Sequence, residues 1–283
     1  MVYTIMNIEM WLYISKKKLI NSSTPQLDVE TLMCYVLKYS KKTLFLNYST
    51  VIDCDSLLKL NYLLCRRMLG EPIAYIINKK EFWSLSLFVS SAVLIPRPDT
   101  ELLIELVTLH TYLKNEFILD LGTGSGSIAL ALAREYPSCK IMGIDNSLQA
   151  LSVARYNARK LNINNVFFIY SDWFSHVPLR KFHIIVCNPP YLSKQDFYRS
   201  IKDLVFEPYN SLVSGKYGIE CIQHIIVNAY RHFTSIGWLY VEHCYKQTKI
   251  VRKIFKNNFF VKISSIKDYS NRRRVTFGCL LKN

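Results

Sequence analysis

From residue 117 the chain alternates between two patterns. Short apolar runs, FILDL (117–121), KIMGID (140–145), VFFIY (166–170), FHIIVC (182–187) and GWLYVE (237–242), are separated for the most part by helical stretches at 126–136, 147–161 and 219–234. Runs of this length, bounded by turn residues, suit strands buried on both faces; a core helix needs ten residues or more. Parallel strands need a crossover between them, so strand–helix alternation predicts a mostly parallel sheet covered by helices on both faces. Two further runs, NFFVKISSI (258–266) and RVTFGCLL (274–281), are expected to add strands at one end, for seven in all.

The first part of the chain lacks strand signals. In 27-LDVETLMCYVLKYS-40, Leu27, Leu32, Tyr35, Val36 and Tyr39 recur at helical spacing. Thr24-Pro25 reads as a helix start, and the run 55–70 ends at Gly70, with Pro72 beyond it. A helical bundle over 1–78 is expected. In 80-KEFWSLSLFVSSAVLI-95, Phe82, Leu85, Leu87 and Val89 predict short β structure, a hairpin linker spanning 79–98. The segment 96-PRPDTE-101 reads as a helix opening, with a helix from about 99 to 113 and a second domain over 99–283.

Lys and Arg number 36 against 21 Asp and Glu, a net charge of +15. Two readings stay open: a surface that faces nucleic acid, or a composition drifted towards Lys, Asn, Ile, Tyr and Phe. Only KKK at 16–18 and RRR at 272–274 are clustered. The eight cysteines (34, 54, 65, 139, 187, 221, 244, 279) form no C-x-x-C pair and read as single buried thiols, which argues against a zinc site or a disulfide framework. No apolar run is long enough for a membrane helix, and the N-terminus is apolar then basic, the reverse of a signal peptide, so a cytoplasmic protein is expected.

The chemistry gathers where the strands end. The first runs into DLGTGSG, with Gly122, Gly124 and Gly126 in the turn to a helix, where a missing side chain lets a ligand approach the backbone. The second ends at Asp145, which can accept from ribose hydroxyls or cap the following helix. The third ends in Asp172-Trp173, a carboxylate that can accept from an exocyclic amine and an indole that can cover a purine or fill the core. The fourth ends in Asn188-Pro189-Pro190-Tyr191. Together these describe a cleft for an adenosine-bearing ligand, with one wall that is not nucleotide-like.

The sheet region resembles the class I S-adenosylmethionine-dependent methyltransferases, a Rossmann-like α/β fold, and NPPY resembles the subgroup acting on planar amide or amine nitrogens. The longer match is to the bacterial release-factor glutamine methyltransferases, the PrmC/HemK family. It rests on EPIAY (71–75), EFWSLSLFVS (81–90), LIPRPDTE (94–101), LDLGTGSGSIALALA (119–133), SDWF (171–174), NPPY (188–191), FEP (206–208) and VEH (241–243), and covers nearly the whole chain. The resemblance implies S-adenosylmethionine as methyl donor, S-adenosyl-L-homocysteine as product, no metal, and the glutamine of the GGQ motif of class 1 peptide-chain release factors as target. It implies that Gly122, Thr123, Gly124, Ser125 and Gly126 wrap the methionine part of the cofactor, that Asp145 holds the ribose, and that Asp172 and Trp173 hold and cover the adenine. Asn188 and Pro189 would hold the substrate amide, with Pro190 and Tyr191 shaping the slot; Tyr191 is expected to pack on the flat amide. A monomer acting on a protein, with no membrane and no nucleic-acid substrate, is the expectation. A glutamine methyltransferase of a large-subunit ribosomal protein and an adenine-type nucleic-acid methyltransferase are the rivals.

Other residues invite weaker readings. Arg97, Asp99 and Glu101 match a family segment near the cofactor entrance or serve as helix caps. Glu207 is read as bracing the loop 192–217, Glu242 as structural and His183 as a core residue; His243 has no obvious partner. Ile236-Gly237 stands where relatives tend to have a glycine pair, and NRRRV (271–275) replaces a more acidic turn.

Overall fold

Seven strands hydrogen-bond in the order β5-β4-β3-β6-β7-β9-β8, where β3 is Phe117–Leu121, β4 Lys140–Asp145, β5 Val166–Tyr170, β6 Phe182–Cys187, β7 Phe233–Glu242, β8 Val261–Lys267 and β9 Arg273–Leu281. The structure is a computed structural model that describes residues 6–110, 113–178 and 181–282. β3 to β7 pair in parallel, and β9 pairs antiparallel with both β7 and β8. Successive residues of each strand point to opposite faces. Ile118, Ile141, Ile184, Val186 and Tyr240 join one buried cluster, while Leu119, Leu121, Ile144, Ile185, Cys187, Leu239 and Val241 join the other. Helices Ser127–Glu135 and Glu220–Ala229 supply Ala129, Leu130 and Leu132 to the first cluster and Ile222, Ile225 and Ile226 to the second. Both faces of the inner strands β3, β4, β6 and β7 are therefore largely dry, which is why they read as continuous apolar runs, whereas the edge strands β5 and β8 are half-exposed.

The chain visits β4 and β5 on one side of β3, then crosses to β6 on the other. That reversal lies between β3 and β6, where Leu121 stands opposite Cys187. Gly122 and Asn188 follow these two residues, at the carboxyl ends where ligands bind in open α/β sheets.

The chain divides into two compact units, with the boundary between Asn78 and Lys79. In the first, helices Ile8–Lys18, Pro25–Leu37 and Cys54–Met68 bury Ile8, Trp11, Val29, Leu32, Met33, Leu60 and Leu64. Leu27, at helical spacing in the sequence, is exposed; Val29 and Met33 take the inward face instead. Gly70 has φ +95° just after the helix ending at Met68, the left-handed turn that favours glycine. Arg67 Nε donates to Asp28 at 2.7 Å across that core.

The second unit begins with a tight hairpin, β1 (Lys80–Phe82) and β2 (Leu85–Leu87). Trp83 and Ser84 form its two-residue turn, both with positive φ. Phe82, Leu85 and Leu87 are buried in the same cluster as Leu103 and Leu132, so the hairpin is part of this unit's core. The helix expected from 99 opens as a 3-10 turn, Pro98–Thr100, and continues as Glu101–His110; residues 111 and 112 lie outside those described. The stretch expected to stay helical to 234 ends at Ala229, passes through a 3-10 turn Tyr230–His232 and becomes β7 at Phe233. Gly237 packs under the Phe233 ring, where an added Cβ would lie 2.2 Å from a ring carbon, so the residue after Ile236 must be glycine.

Three side-chain readings change. Cys139, Cys187 and Cys279 are buried, but Cys54 and Cys65 are exposed, one opening a helix at the surface and the other on its outward side. His183 is only partly buried: it lies near the start of β6 and pairs with Glu116. His243 does have partners. Its ring is fully buried, with Nδ1 2.9 Å from the Cys244 carbonyl and Nε2 2.8 Å from Thr276 Oγ1. A carbonyl only accepts, so Nδ1 carries the proton, and burial keeps the ring neutral by lowering its pKa.

Candidate active site

The carboxyl ends of β3, β4, β5 and β6 open on a cleft of about 1170 Å³. Gly122, Gly124, Asp145, Asp172, Trp173, Asn188 and Pro190 line it. Thr123, Ser125, Gly126, Pro189 and Tyr191, from the same motifs, do not. Thr123 and Ser125 are buried beneath the glycine turn. Tyr191 packs against the β6–β7 core, and its hydroxyl lies 3.3 Å from Glu242 Oε1; its ring therefore braces the site from behind, where the sequence suggested a face for the amide.

The glycine turn has the shape its sequence requires. Gly122 and Gly124 have φ +73° and +56°, and an added Cβ at either would meet nothing within 4 Å. Glycine is needed there for the backbone conformation, and the space beside it is left to a ligand. Asp120, one strand position back, is fully buried and holds the turn from below: its Oδ2 accepts from Thr123 Oγ1 at 2.7 Å and from Ala129 N at 3.2 Å. Burial pushes its carboxyl up to about 7.

Asp145 closes the turn from the side. Its Oδ2 accepts from Gly124 N and its Oδ1 from Ser147 N, both at 2.9 Å. Each oxygen keeps a lone pair, so the carboxylate can still accept from hydroxyls in the cleft. Burial raises its pKa, and the Gly124 and Ser147 N–H groups pull it back. The Asp172-Trp173 turn is fixed by buried Ser171, whose Oγ donates to the Trp173 carbonyl at 2.7 Å and accepts from His176 N at 3.0 Å. Trp173 is held at φ +46°, half-buried, with its ring against the core on one side and the cleft on the other. The core and cleft readings of this residue are thus compatible.

Behind Asn188 stands a buried polar group. Asn188 Nδ2 donates to Thr100 Oγ1 at 3.1 Å, and Thr100 is 2% exposed. Glu242 is 1% exposed at the end of β7, beside Thr100 and Tyr191. Burial raises its carboxyl to about 7, against the neighbouring Thr100 hydroxyl and the charge of Arg274, which pull it down. Sequence reading gave Thr100 no role beyond capping and left Glu242 as structural.

The PRPDTE segment is not capped by its own side chains. Arg97 pairs with Glu207, Asp99 lies 3.2 Å from Arg274, and Glu101 accepts from Trp83 N at 2.9 Å. Arg274, from the basic turn at 271–275, also bonds Asp268 at 3.2 Å, so that turn is anchored rather than loose. Glu207 accepts from Ile95 N at 3.1 Å as well as from Arg97. The segments on either side of this tie, 91–94 and 208–211, form two walls of the cleft that the sequence did not reveal. For 208–211 the only signal was the length of the loop between NPPY and the next helix. Among the described residues no group of three or more His, Cys, Asp or Glu is placed to hold a metal ion, and no helix is long and apolar enough to cross a membrane.

A mostly parallel sheet with this strand order, a glycine turn after β3 and an acid after β4 define a class I methyltransferase. A family model for the methyltransferase small domain matches residues 97–262, and one for the PrmC N-terminal domain matches 12–77. The chain is 47% identical to the release factor glutamine methyltransferase of Buchnera aphidicola subsp. Schizaphis graminum, over 96% of this chain and 99% of that one. It is 40% identical to the release factor glutamine methyltransferase of Escherichia coli K12, again over 96% and 99%. A methyltransferase structure from Pyrococcus furiosus superposes with TM-score 0.54 at 19% identity, over 77% of this chain and 98% of that one, a likeness of fold. The chain belongs to the release factor glutamine methyltransferase family.

Proposed function

We propose that the protein transfers a methyl group from S-adenosylmethionine to the side-chain amide nitrogen of the glutamine in the GGQ motif of class 1 peptide-chain release factors. The observation that carries this reading is the meeting of two unlike walls in one cleft: Gly122, Gly124, Asp145 and Trp173 on one side, Asn188 and Pro190 on the other. Family membership supports the substrate. The cleft also suits the cofactor, with open space beside two left-handed glycines and a carboxylate with spare acceptor capacity.

When bound, the cofactor supplies an electrophilic methyl on a sulfonium. The residues of this chain must supply aim. An amide nitrogen is a poor nucleophile because its lone pair is delocalised into the carbonyl. Asn188 Oδ1 and the Pro189 carbonyl each accept one N–H of the target amide, so the nitrogen presents its face to the methyl group. Prolines at 189 and 190 offer no competing N–H. The new N–C bond forms as the S–C bond breaks, and the nitrogen then loses one proton to water in the open cleft. No strong base is needed, and orientation of this kind is worth about 7–11 kcal/mol. The N-terminal helical domain, 1–78, docks the protein substrate, and the enzyme acts as a monomer in the cytoplasm.

The test is methyl transfer from labelled S-adenosylmethionine to an unmodified class 1 release factor, with the site mapped by peptide mass spectrometry. One added methyl on the GGQ glutamine supports the reading. Transfer to a ribosomal protein or to nucleic acid instead, which the net charge of +15 would favour, overturns the partner.

A further inference from the structure

The chain's positive charge is concentrated towards its end. From His243 to Asn283 eleven residues are Lys or Arg and one, Asp268, is acidic, a net +10 in 41 residues of a chain whose total is +15. The fold gathers this charge on one edge of the second unit. Helix Thr248–Asn257 turns Val251 and Phe255 into the core and leaves Lys249, Arg252, Lys253 and Lys256 exposed, at least one cation to each turn. Arg252 Nη1 donates to Ser265 Oγ at 3.3 Å, so the helix borders β8, the edge strand that carries exposed Lys262 and Lys267. Before the helix, the Arg272 guanidinium and the Lys246 ammonium lie 5.3 and 5.9 Å from the centre of the exposed Tyr245 ring. Asp268 is engaged locally: it is buried, and its carboxylate accepts from Arg274 and from the backbone N–H groups of Ser270 and Arg272. None of the four helix cations has an ion-pair partner among the described residues.

We propose that this edge binds the phosphate backbone of single-stranded RNA, as a docking surface apart from the cleft. Lysines on an edge strand also discourage strand pairing, but that does not account for four cations on the helix. Three other occupants fit less well. A membrane would need the helix's apolar side, and Val251 and Phe255 are committed to the core. Protein interfaces are depleted in lysine, and this face carries Lys246, Lys249, Lys253, Lys256 and Lys262. Duplex DNA keeps its bases stacked inward, whereas Tyr245 and, past the end of the helix, Phe259 offer exposed rings to unpaired bases. A row of cations reads the repeated charge of a backbone without regard to sequence. RNA held there is not placed to accept the methyl group: β7 and β9 stand between β8 and β6, and no Lys or Arg among the described residues lines the cleft.

The probe is a fluorescein-labelled oligouridylate of about 20 nucleotides, titrated with the full chain and followed by anisotropy between about 50 and about 200 mM KCl. Log affinity should fall with log salt at a slope of about −4, the value for about five to six phosphates on a single strand. The variant combining Lys249→Gln, Arg252→Gln, Lys253→Gln and Lys256→Gln should bind at least about tenfold more weakly at about 100 mM KCl, with the slope reduced to about −1. Its thermal midpoint should not change, since all four side chains are exposed. A control combining Lys16→Gln, Lys17→Gln, Lys18→Gln and Lys42→Gln removes the same charge from exposed positions of the first unit and should bind within about twofold of native. Binding that is absent from the native protein at about 100 mM KCl, unchanged in the helix variant, or equally weakened in the control overturns the proposal. Equal or tighter binding of duplex DNA or of polyglutamate of the same length overturns it too, the second in favour of an acidic protein partner. No methyl transfer enters these readouts, so the substrate reading and the docking surface stand or fall separately.

Discussion

The Asp145 carboxylate accepts the backbone N–H of Gly124 at 2.9 Å, across 21 residues of sequence, and so joins the glycine turn to the end of the neighbouring strand. One residue therefore shapes the turn and offers acceptors to the cleft. Asp145→Ala should weaken S-adenosylmethionine about 10–100-fold, the cost of one or two hydrogen bonds to a charged group. Asp145→Asn, with one acceptor retained, should fall between. Calorimetric titration of both variants measures this; native affinity in Asp145→Ala would remove the ribose role.

Asn188 separates aim from affinity. Asn188→Ala should cut kcat by at least about 100-fold while the cofactor Kd moves less than about threefold, because the lost contact is to the amide and its value lies in orientation. Single-turnover methyl transfer with saturating cofactor is the measurement. A variant of near-native rate would show that Asn188 does not hold the substrate.

Much of this was legible in the chain. The strand runs, their order and their polar ends follow from periodicity, because strands dry on both faces cannot hide a polar residue without a purpose. Gly122 and Gly124 were legible because only glycine takes their φ without strain. Thr100, Glu207 and Glu242 were harder to read. Each works through a partner far along the chain: Asn188 is 88 residues from Thr100, and Ile95 is 112 from Glu207. No local period records such a pairing. Tyr191 shows the limit of reading by adjacency. Adjacency in NPPY suggested a shared role with Asn188, but the turn after two prolines sends its ring to the core and its hydroxyl to Glu242.

Glu207 ties two walls of the cleft, and its two partners are not equivalent. The Glu207 side chain is 2% exposed and the Arg97 side chain 39%. Arg97→Ala strands a buried carboxylate and should cost about 3 kcal/mol of stability. Glu207→Gln keeps an acceptor for Ile95 N and lets the arginine turn to water, and should cost about 1 kcal/mol. Denaturant titration gives the order directly, and both variants should raise KM for the protein substrate. The reverse order would mean that the tie is made at the surface.

Glu242 predicts a pH dependence of turnover. Its carboxyl, raised to about 7 by burial, faces Thr100, Tyr191, Asp99 and Arg274. Above that pH it is ionised and accepts from the Tyr191 hydroxyl at 3.3 Å; below it, a neutral acid holds that hydroxyl less tightly, and the turn that carries Asn188 loosens. kcat should therefore fall about tenfold between pH 8 and pH 6, as one group with this pKa takes up its proton. Glu242→Gln should flatten that limb. A limb unchanged in the variant would assign it to another group.

Asp120 makes the same kind of statement about stability. Its Oδ2 holds Thr123 and Ala129, Oδ1 meets no partner among the described residues, and burial lifts the carboxyl to about 7 from 3.8. Between those two values the folded protein keeps a proton that the unfolded chain has lost. Stability therefore falls as pH rises through this window and is level above it. One such group gives a slope of at most about 1.4 kcal/mol per pH unit. Glu242 adds a second of the same sign, from 4.5 to about 7. Asp120→Asn keeps an acceptor for Thr123 and Ala129 but cannot ionise, so it should lose one proton's share of the slope and keep the other. The thermal midpoint of native and variant protein from pH 4.5 to 7.5 tests this. Parallel curves would mean that Asp120 is ionised in the folded state, with its charge satisfied by the glycine turn it supports.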